Sequence, residues 1–248
     1  MDERAWDAVA EHFDEAVLNV PAHDRLGLIK RTVEQLAVES GSAADIGCGV
    51  GRALDLIAPH FATVYATDIS RDCLAIAEKD LAQYHHISFI HADLSQGHGL
   101  PDQVDLVVCI NTLLLDPLDK REAMLEHLCE AVKPGGHLLL VVPSLESALY
   151  VSHRLVRLNR QIGMSPRTAQ QKARREMSPL DMGIVQVDGV PTKHHLNEEL
   201  QDLLRAEGMD VIRAEKIEYP WSYVLEDPPE EMCGNQPWNW MMVARRRS

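Results

Sequence analysis

Apolar positions along the chain alternate between two spacings, and this alternation predicts an α/β fold. Helical spacing of three and four residues marks residues 2–18 and the stretch from Asp24 to about Glu39, each predicted to form one helix. Later helical segments are separated by short runs that are β-rich or continuously apolar. The predicted strands in this part of the chain are 43–46, 62–67, 87–92, 104–110 and 137–143. Apolar strands separated by amphipathic helices are typical of a parallel sheet covered on both faces.

Residues with special local chemistry mark several element boundaries in this first part of the chain. Pro59 is expected to end a helix over 52–58 early. Ser70 is predicted to cap the next helix with its hydroxyl. A helix from about Lys120 to Val132 precedes a Lys-Pro-Gly-Gly sequence at 133–136, which is predicted to turn the chain into the fifth strand.

Beyond residue 145 the alternation changes, and the segment 146–195 is predicted to be an insertion after the fifth strand. Two helices are expected in it, the second starting at Ser165-Pro166 and reaching about Arg175, followed by a hairpin with Asp188-Gly189 in its turn. Asn197 is predicted to cap a helix that Gly208 ends. Two further strands, 211–219 and 238–244, are joined by a long loop. The whole chain, 1–248, is interpreted as one domain.

Composition excludes some classes of protein. Hydrophobic residues make up 46% of the chain and charged residues 25%, which is ordinary for a soluble globular domain. No apolar run approaches the ~20 residues needed to cross a bilayer, so no membrane partner is expected. The acidic N-terminus carries no secretory signal, which favours the cytoplasm. The net charge of −14 disfavours nucleic acid as a substrate, because such a field repels phosphate backbones.

The five cysteines show no paired spacing of the kind that binds zinc, and no metal site is predicted. They are expected to be reduced and mostly buried, as in an intracellular protein. Their positions are Cys48, Cys73, Cys109, Cys129 and Cys233.

A glycine-rich turn follows the first predicted strand, with the pattern Asp45-x-Gly47-x-Gly49-x-Gly51. Glycines at alternate positions let the chain bend tightly and approach a ligand, because no Cβ atom blocks it. The dinucleotide-binding fingerprint requires glycines at the first, third and sixth places. Counted from Gly47 the sixth place is Arg52, whose long side chain would disturb the approach to a pyrophosphate. The spacing therefore weighs against a nicotinamide or flavin cofactor.

Two acidic residues stand where predicted strands end, at the edge of a parallel sheet that binds ligands. Asp68 follows the second strand about 20 residues after the glycines, a position from which a carboxylate can accept hydrogen bonds from both ribose hydroxyls. Asp93 follows the third strand and also fits simple turn chemistry, since Ser95 and Gly97 come next. The order of the glycine turn, Asp68 and Asp93 favours one nucleoside-binding site.

The glycine pattern resembles the first motif of class I S-adenosylmethionine-dependent methyltransferases. The resemblance implies a Rossmann-like three-layer sandwich with a mostly parallel seven-stranded sheet and an antiparallel seventh strand. It also implies that the glycine loop wraps the methionine end of the cofactor, that Asp93 binds adenine, and that the exit of the fourth strand faces the substrate. Residues 1–40 would cover the cofactor, and 146–195 would form a substrate cap. The implied cofactor-binding residues are Asp45, Gly47, Gly49, Gly51, Asp68, Ile69, Asp93, Leu94, Ile110 and Asn111.

The same resemblance implies S-adenosylmethionine as the cofactor and a small-molecule acceptor that is methylated at O, N or C. Methyl transfer from a sulfonium needs chiefly an in-line alignment of nucleophile, methyl group and sulfur, so no catalytic residue is assigned. If an acceptor must lose a proton, the candidate bases are His194, His195, His12 and Asp116. Three alternatives stay open: a related alkyl transferase, an NAD-dependent oxidoreductase, and a cofactor-binding partner protein without catalytic activity.

Overall fold

A seven-stranded sheet forms the centre of the molecule. The computed structural model describes residues 2–173, 182–187, 189–232 and 234–248. The strands of this sheet are β1 (Ser42–Ile46), β2 (Thr63–Asp68), β3 (Ile87–His91), β4 (Val104–Ile110), β5 (Val132–Pro143), β8 (Met209–Glu218) and β9 (Trp238–Arg246). Their order is β3-β2-β1-β4-β5-β9-β8. Neighbours from β3 to β5 are parallel, whereas β9 is antiparallel to both β5 and β8. The predicted Rossmann-like sheet with an antiparallel last strand is confirmed.

Helices cover both faces of this sheet. They are α1 (Glu3–Ala10), α2 (Phe13–Ala16), α3 (Val20–His23), α4 (Leu28–Leu36), α5 (Leu54–Ile57), α6 (Arg71–Asp80), α7 (Leu118–Glu130), α8 (Leu145–Gln161), α9 (Pro166–Ala173) and α10 (Asn197–Ala206). Leu128 of α7 and Leu204 of α10 are buried in the core of one face, and Val33 of α4 and Leu54 of α5 in the core of the other. Alternate residues of each strand therefore enter two separate apolar layers, which explains the continuous apolar runs.

The N-terminal region differs from its prediction, because four short helices stand where two were expected. The first predicted helix breaks at Glu11-His12, between α1 and α2. The second begins late and ends early: α4 starts at Leu28, directly after Gly27 with its left-handed φ of +62°, and ends at Leu36 rather than Glu39. The helix α3 lies before the predicted start at Asp24. The Asp24 carboxylate accepts a hydrogen bond from the Ile29 amide, so it supports the start of α4. Apolar periodicity indicated the buried face of α4 at Ile29 and Val33, but it did not detect the break in the first helix or the late start of the second.

Three further boundaries differ from the prediction for local reasons. The predicted Lys-Pro-Gly-Gly turn lies within β5, where the pairing with β4 shifts between Val104 and Leu106 and absorbs extra residues as a bulge. Asn197 is the first residue of α10 rather than its cap, and the Glu199 carboxylate accepts the Leu196 amide instead. Pro59 does follow the end of α5 but lies within a 3-10 turn.

The segment between β5 and α10 contains α8, α9 and a two-stranded hairpin of β6 (Ile184–Val187) and β7 (Val190–Lys193). Asp188 and residues 174–181, including the predicted helix end at Arg175, lie outside the described residues. The segment returns to the end of β5, where the His195 amide donates to the Pro143 carbonyl and the Leu145 amide donates to the His195 carbonyl. The hairpin is thereby attached to the carboxyl end of the sheet.

Four of the five cysteines are buried free thiols, as predicted: Cys48, Cys73, Cys109 and Cys129. Burial raises the pKa of Cys109 and of Cys129 to about 12, so both are thiols at neutral pH. Cys233 lies outside the described residues. Within the described ranges, no helix has both the length and the apolar composition that crossing a bilayer requires.

Candidate functional site

The glycine loop lies between the carboxyl ends of β2 and β4. The amides of Gly47 and Cys48 both donate to the Thr67 carbonyl at the end of β2, at 2.7 and 3.0 Å. On the other side, the Thr112 hydroxyl lies 3.3 Å from the Gly47 carbonyl oxygen, to which it donates. The loop is therefore fixed to two strands that are both neighbours of β1.

Backbone geometry explains why this loop contains glycine. Gly47, Gly49 and Gly51 have φ values of +75°, +54° and +86°, a region that other residues occupy only at a cost. A Cβ at Gly47 would overlap the Thr112 side chain, and one at Gly51 would lie 2.7 Å from Leu81 Cδ1. Each of the two positions thus needs glycine for both its backbone angles and its close packing.

Asp68 turns its carboxylate toward the glycine loop. One oxygen accepts a hydrogen bond from the Gly49 amide and the other from the Ser70 amide, both at 2.8 Å. Burial raises the pKa of Asp68, and the hydrogen bonds from Ser70 and Gly49 oppose that shift. A carboxylate oxygen that accepts one amide hydrogen bond keeps further acceptor capacity, so Asp68 can also accept hydroxyl donors.

A second acidic side chain, Asp45, is buried at the end of β1. Its exposed fraction is 2%, and its Oδ2 atom has no hydrogen-bond partner among the residues that the structure describes. Burial, reinforced by the negative charge of Asp68, raises the pKa of Asp45 to about 7. Two neighbouring carboxyl groups therefore lie at the glycine loop. The Oδ2 atom of one of them, Asp45, accepts no hydrogen bond from the described residues.

Asp93 lies beside this pair in the sheet, but its side chain has a local role. The Ala92 amide donates to the Asp68 carbonyl, which places the end of β3 next to the end of β2. Asp93 is exposed, and its Oδ1 accepts hydrogen bonds from the Ser95 amide and hydroxyl. Leu94 is buried in the core, where its carbonyl accepts from His127 Nδ1. Asp93 therefore lies at the expected edge of the sheet, but its carboxylate stabilises the turn that follows it.

The exit of β4 has an unusual backbone conformation. Asn111 has a φ of +52°, a left-handed value that asparagine tolerates better than most residues, and its amide donates to the Val141 carbonyl. Its side-chain oxygen lies 3.4 Å from Nδ2 of the buried Asn239. Asn239 belongs to the antiparallel β9 and faces Pro143 of β5. Sequence reasoning missed Asn239, because nothing near it in the chain indicates its neighbour.

The N-terminal segment, defined here as residues 2–17, lies along the side of the site formed by α6. Asp7 accepts a hydrogen bond of 2.6 Å from the Ser70 hydroxyl, while Ser70 also caps α6 as predicted. Glu3 Oε1 lies 3.0 Å from His91 Nε2, and the same ring nitrogen lies 2.9 Å from the Ile69 carbonyl. Ile69 is therefore fixed through its backbone, and α1 is attached beside Asp68.

The four candidate bases differ in their burial and in their hydrogen-bond partners. His195 is fully buried, and its Nε2 lies 3.2 Å from the Leu113 carbonyl, so it supports the loop after β4. Burial lowers the pKa of His195 to about 4, which keeps the ring neutral. Burial also lowers the pKa of His194, whose Nδ1 lies near the Thr192 carbonyl. His12 and Asp116 are both exposed.

The charges around the glycine loop determine which ligand groups it attracts and which it repels. The carboxyl groups of Asp45 and Asp68 favour hydroxyl donors and a positive centre, and they oppose a pyrophosphate. Arg52, the cation nearest in sequence, directs its guanidinium to the N-terminal segment. Within the described ranges, no group of three His, Cys, Asp or Glu residues is arranged to hold a metal ion.

Comparison with known proteins agrees with this geometry. A family described as "Methyltransferase domain" matches residues 43–136. Magnesium-protoporphyrin O-methyltransferase of Synechocystis is 34% identical over 88 residues, which cover 34% of this chain and 37% of that enzyme. The chain spans less than half the length of the curated relatives it matches.

Solved structures extend the likeness beyond that segment. The DhpI complex with SAM and HEP has a TM-score of 0.63 at 19% identity, covering 98% of this chain and 94% of DhpI. Magnesium protoporphyrin IX methyltransferase (ChlM) from Synechocystis with bound SAH has a TM-score of 0.57 at 19% identity, covering 99% of this chain and all of that one. At such identities the likeness shows a shared fold.

Proposed function

We propose that this chain is a class I S-adenosylmethionine-dependent methyltransferase and transfers a methyl group from S-adenosylmethionine to a small molecule. The observation that carries the proposal is the pair of neighbouring carboxyl groups, Asp45 and Asp68, at the glycine loop. When bound, S-adenosylmethionine supplies a methyl group activated by the positive charge of its sulfur. The negative surroundings of the loop suit that charge and oppose the pyrophosphate of NAD, the cofactor of one alternative.

The residues at the loop fit the cofactor in distinct roles. Asp68 accepts the ribose hydroxyls with the capacity left beside its two amide bonds. The unpartnered Asp45 Oδ2 offers a buried acceptor close to the methionine end. Asp93 and Leu94 flank the adenine at the end of β3, and Ile110 and Asn111 border the methionine end from β4. These assignments rest on the contacts described above and on the position of each residue at one edge of the sheet.

We place the acceptor over the ends of β4 and β5, beneath the segment 146–195, which acts as a cap. The support is its attachment at Pro143 and Leu145, directly after β5. The chain's contribution to the reaction is to hold the acceptor in line with the methyl group and to exclude water. His195 is a support for the Leu113 carbonyl rather than a base. Two curated relatives are a magnesium-protoporphyrin O-methyltransferase of Synechocystis and a ubiquinone biosynthesis O-methyltransferase of Coxiella burnetii. An oxygen acceptor is therefore the first to test, before nitrogen and carbon.

Calorimetry with S-adenosylhomocysteine tests the cofactor assignment. We expect binding by the wild type and a loss of about tenfold to hundredfold in Asp68→Ala, because a charged acceptor for the ribose is removed. Asp72→Ala is the matched control, since Asp72 is an exposed carboxylate at the start of α6, and it should bind like the wild type. NAD should give no heat. Equal binding by wild type and Asp68→Ala would refute the ribose assignment.

A labelling experiment separates an enzyme from a silent binder. The wild type is incubated with methyl-labelled S-adenosylmethionine and a mixture of small metabolites, and products are resolved by mass. We expect one labelled product, absent with Asp68→Ala. If binding is intact and no acceptor is labelled across pH values and acceptor classes, the chain is a cofactor-binding partner protein. An unlabelled product with a larger mass gain, with the methyl label left on the sulfur-containing by-product, would identify the related alkyl transferase.

A further inference from the structure

The Arg52 guanidinium directs its hydrogen bonds to the N-terminal segment. Its Nε and Nη2 donate to Asp14 Oδ1 at 3.1 and 2.6 Å, Nη1 donates to the Val17 carbonyl at 2.9 Å, and Nη2 also donates to the Phe13 carbonyl at 3.0 Å. The guanidinium carbon lies 4.7 Å from the centre of the Phe13 ring. One side chain, only 13% exposed, thus contacts three residues of the segment.

The Phe13 ring lies directly against the glycine loop. A Cβ at Gly49 would come within 2.6 Å of Phe13 Cζ, so the ring occupies the space that a side chain would take. The Gly49 amide is bonded to Asp68 on its other side. Asp68, Gly49, Phe13 and Arg52 therefore form a continuous set of contacts from the ribose carboxylate to the N-terminal segment.

The segment around Phe13 depends on such contacts for its conformation. The helix α2 contains four residues, which is too short to be stable alone. The carbonyl of its first residue, Phe13, and the carbonyl of Val17, which follows its last residue, both accept hydrogen bonds from the guanidinium. Asp14 is 86% exposed, so its ion pair contributes little, and the backbone carbonyls of Phe13 and Val17 set the geometry.

We propose that Arg52 is a positioning residue that holds Phe13 across the glycine loop and so closes the cofactor site. The inference depends on the proposed function, since it concerns retention of the same cofactor. It assigns a specific role to the residue at the sixth place of the loop, where a dinucleotide-binding protein has glycine. Arg52 closes the site on the methionine side, while Asp7 at Ser70 holds α1 on the ribose side.

Two measurements on Arg52→Ala test the proposal. In stopped-flow displacement, S-adenosylhomocysteine should dissociate at least tenfold faster than from the wild type. In the chain without cofactor, amide hydrogen exchange over 13–17 should lose protection, including the Val17 amide that bonds to the Phe13 carbonyl. Arg52→Lys should be intermediate, because an ammonium keeps the charge and cannot reach all three acceptors in the same geometry.

Arg71→Ala is the matched control, because Arg71 is 70% exposed and pairs with Glu3 of the same segment. It should leave both the dissociation rate and the exchange over 13–17 at wild-type values. If Arg52→Ala does not fold, Phe13→Ala replaces it. That variant keeps the backbone acceptors of Arg52, so it should release S-adenosylhomocysteine faster with protection of residue 17 retained.

Each other outcome overturns the proposal or one of its supports. Unchanged dissociation from Arg52→Ala refutes the closing role, even if exchange rises. Tighter binding by Arg52→Ala or Phe13→Ala also refutes it, because Phe13 would then obstruct the site. If the wild type itself does not bind S-adenosylhomocysteine, the proposed function fails, while the exchange measurement still tests whether Arg52 holds the segment.

Discussion

Two regions at the carboxyl edge of the central sheet hold their polar groups by different means. At the side of β1 and β2, which we call the cofactor side, the Asp68 carboxylate and the Gly47 amide are bonded to backbone groups of adjacent elements. At the side of β5, which we call the insertion side, a buried side chain forms an ion pair with the helix that follows it. Lys193, 3% exposed, donates to Glu199 at 2.6 Å and to the Met182 carbonyl at 2.7 Å.

This difference shows which half of the molecule a sequence motif can describe. Backbone geometry at the cofactor side demands particular residue types, such as glycine at a left-handed φ, and those types recur in a recognisable order. The insertion side needs only complementary charge and shape, which many residue combinations satisfy. The predictions below therefore change one side at a time, beginning with the largest expected effect.

Gly47→Ala should disrupt the cofactor side most strongly. The added methyl overlaps Thr112, and alanine must adopt a φ of +75°, so we expect a loss of about 3 kcal/mol in the free energy of unfolding together with loss of S-adenosylhomocysteine binding. Gly208→Ala is the control at the same φ of +75°, where no described atom lies within 4 Å of the new Cβ. It should cost about 1 kcal/mol and leave binding intact. Equal losses in urea unfolding would show that backbone strain alone matters.

Lys193→Met should affect the insertion side without changing cofactor binding. Removing one partner of a largely buried ion pair leaves Glu199 uncompensated, but Glu199 is 31% exposed, so we expect a cost of about 2 kcal/mol rather than the full penalty of a buried charge. The double variant with Glu199→Gln should recover part of that loss in urea unfolding. Weaker binding of S-adenosylhomocysteine by Lys193→Met would contradict the separation of the two sides.

Asp45 and His195 should give the two sides opposite dependences on pH. Since the pKa of Asp45 is raised to about 7, the folded chain keeps a proton that the unfolded chain releases above about pH 4, and this group's contribution to stability falls as pH rises from about 4 to about 7. Since the pKa of His195 is lowered to about 4, the unfolded chain binds a proton below about pH 6.5 that the folded chain does not bind until about pH 4. Its contribution therefore falls as pH decreases from about 6.5 to about 4.

Urea unfolding at a series of pH values separates these two contributions. Relative to the wild type, Asp45→Asn should gain about 2 kcal/mol between pH 5 and pH 7.5, because the cost of burying this charge is absent. His195→Asn should gain about 2 kcal/mol relative to the wild type between pH 6.5 and pH 4.5. Each variant is the control for the other, and curves parallel to the wild type in both would show that neither group titrates as the structure requires.

The sequence alone determined the sheet and the main features of the cofactor side. Strand runs, the glycine spacing, the Ser70 cap and the strand-end position of Asp68 could be predicted, because each depends on neighbours within one strand, turn and helix. The break at Glu11-His12 and the late start of α4 after Gly27 could not, since apolar residues continue at helical spacing across both positions.

Only the tertiary structure decided how distant segments complete the site. Asn239 reaches Asn111 across 128 positions because β9 pairs antiparallel with β5, and Arg52 reaches Phe13 because the N-terminal segment packs on the glycine loop. The burial of His195, which the sequence offered as a base, follows from the return of the insertion to the end of β5. Side-chain partners of this kind depend on strand register and packing, which periodicity along the chain does not contain.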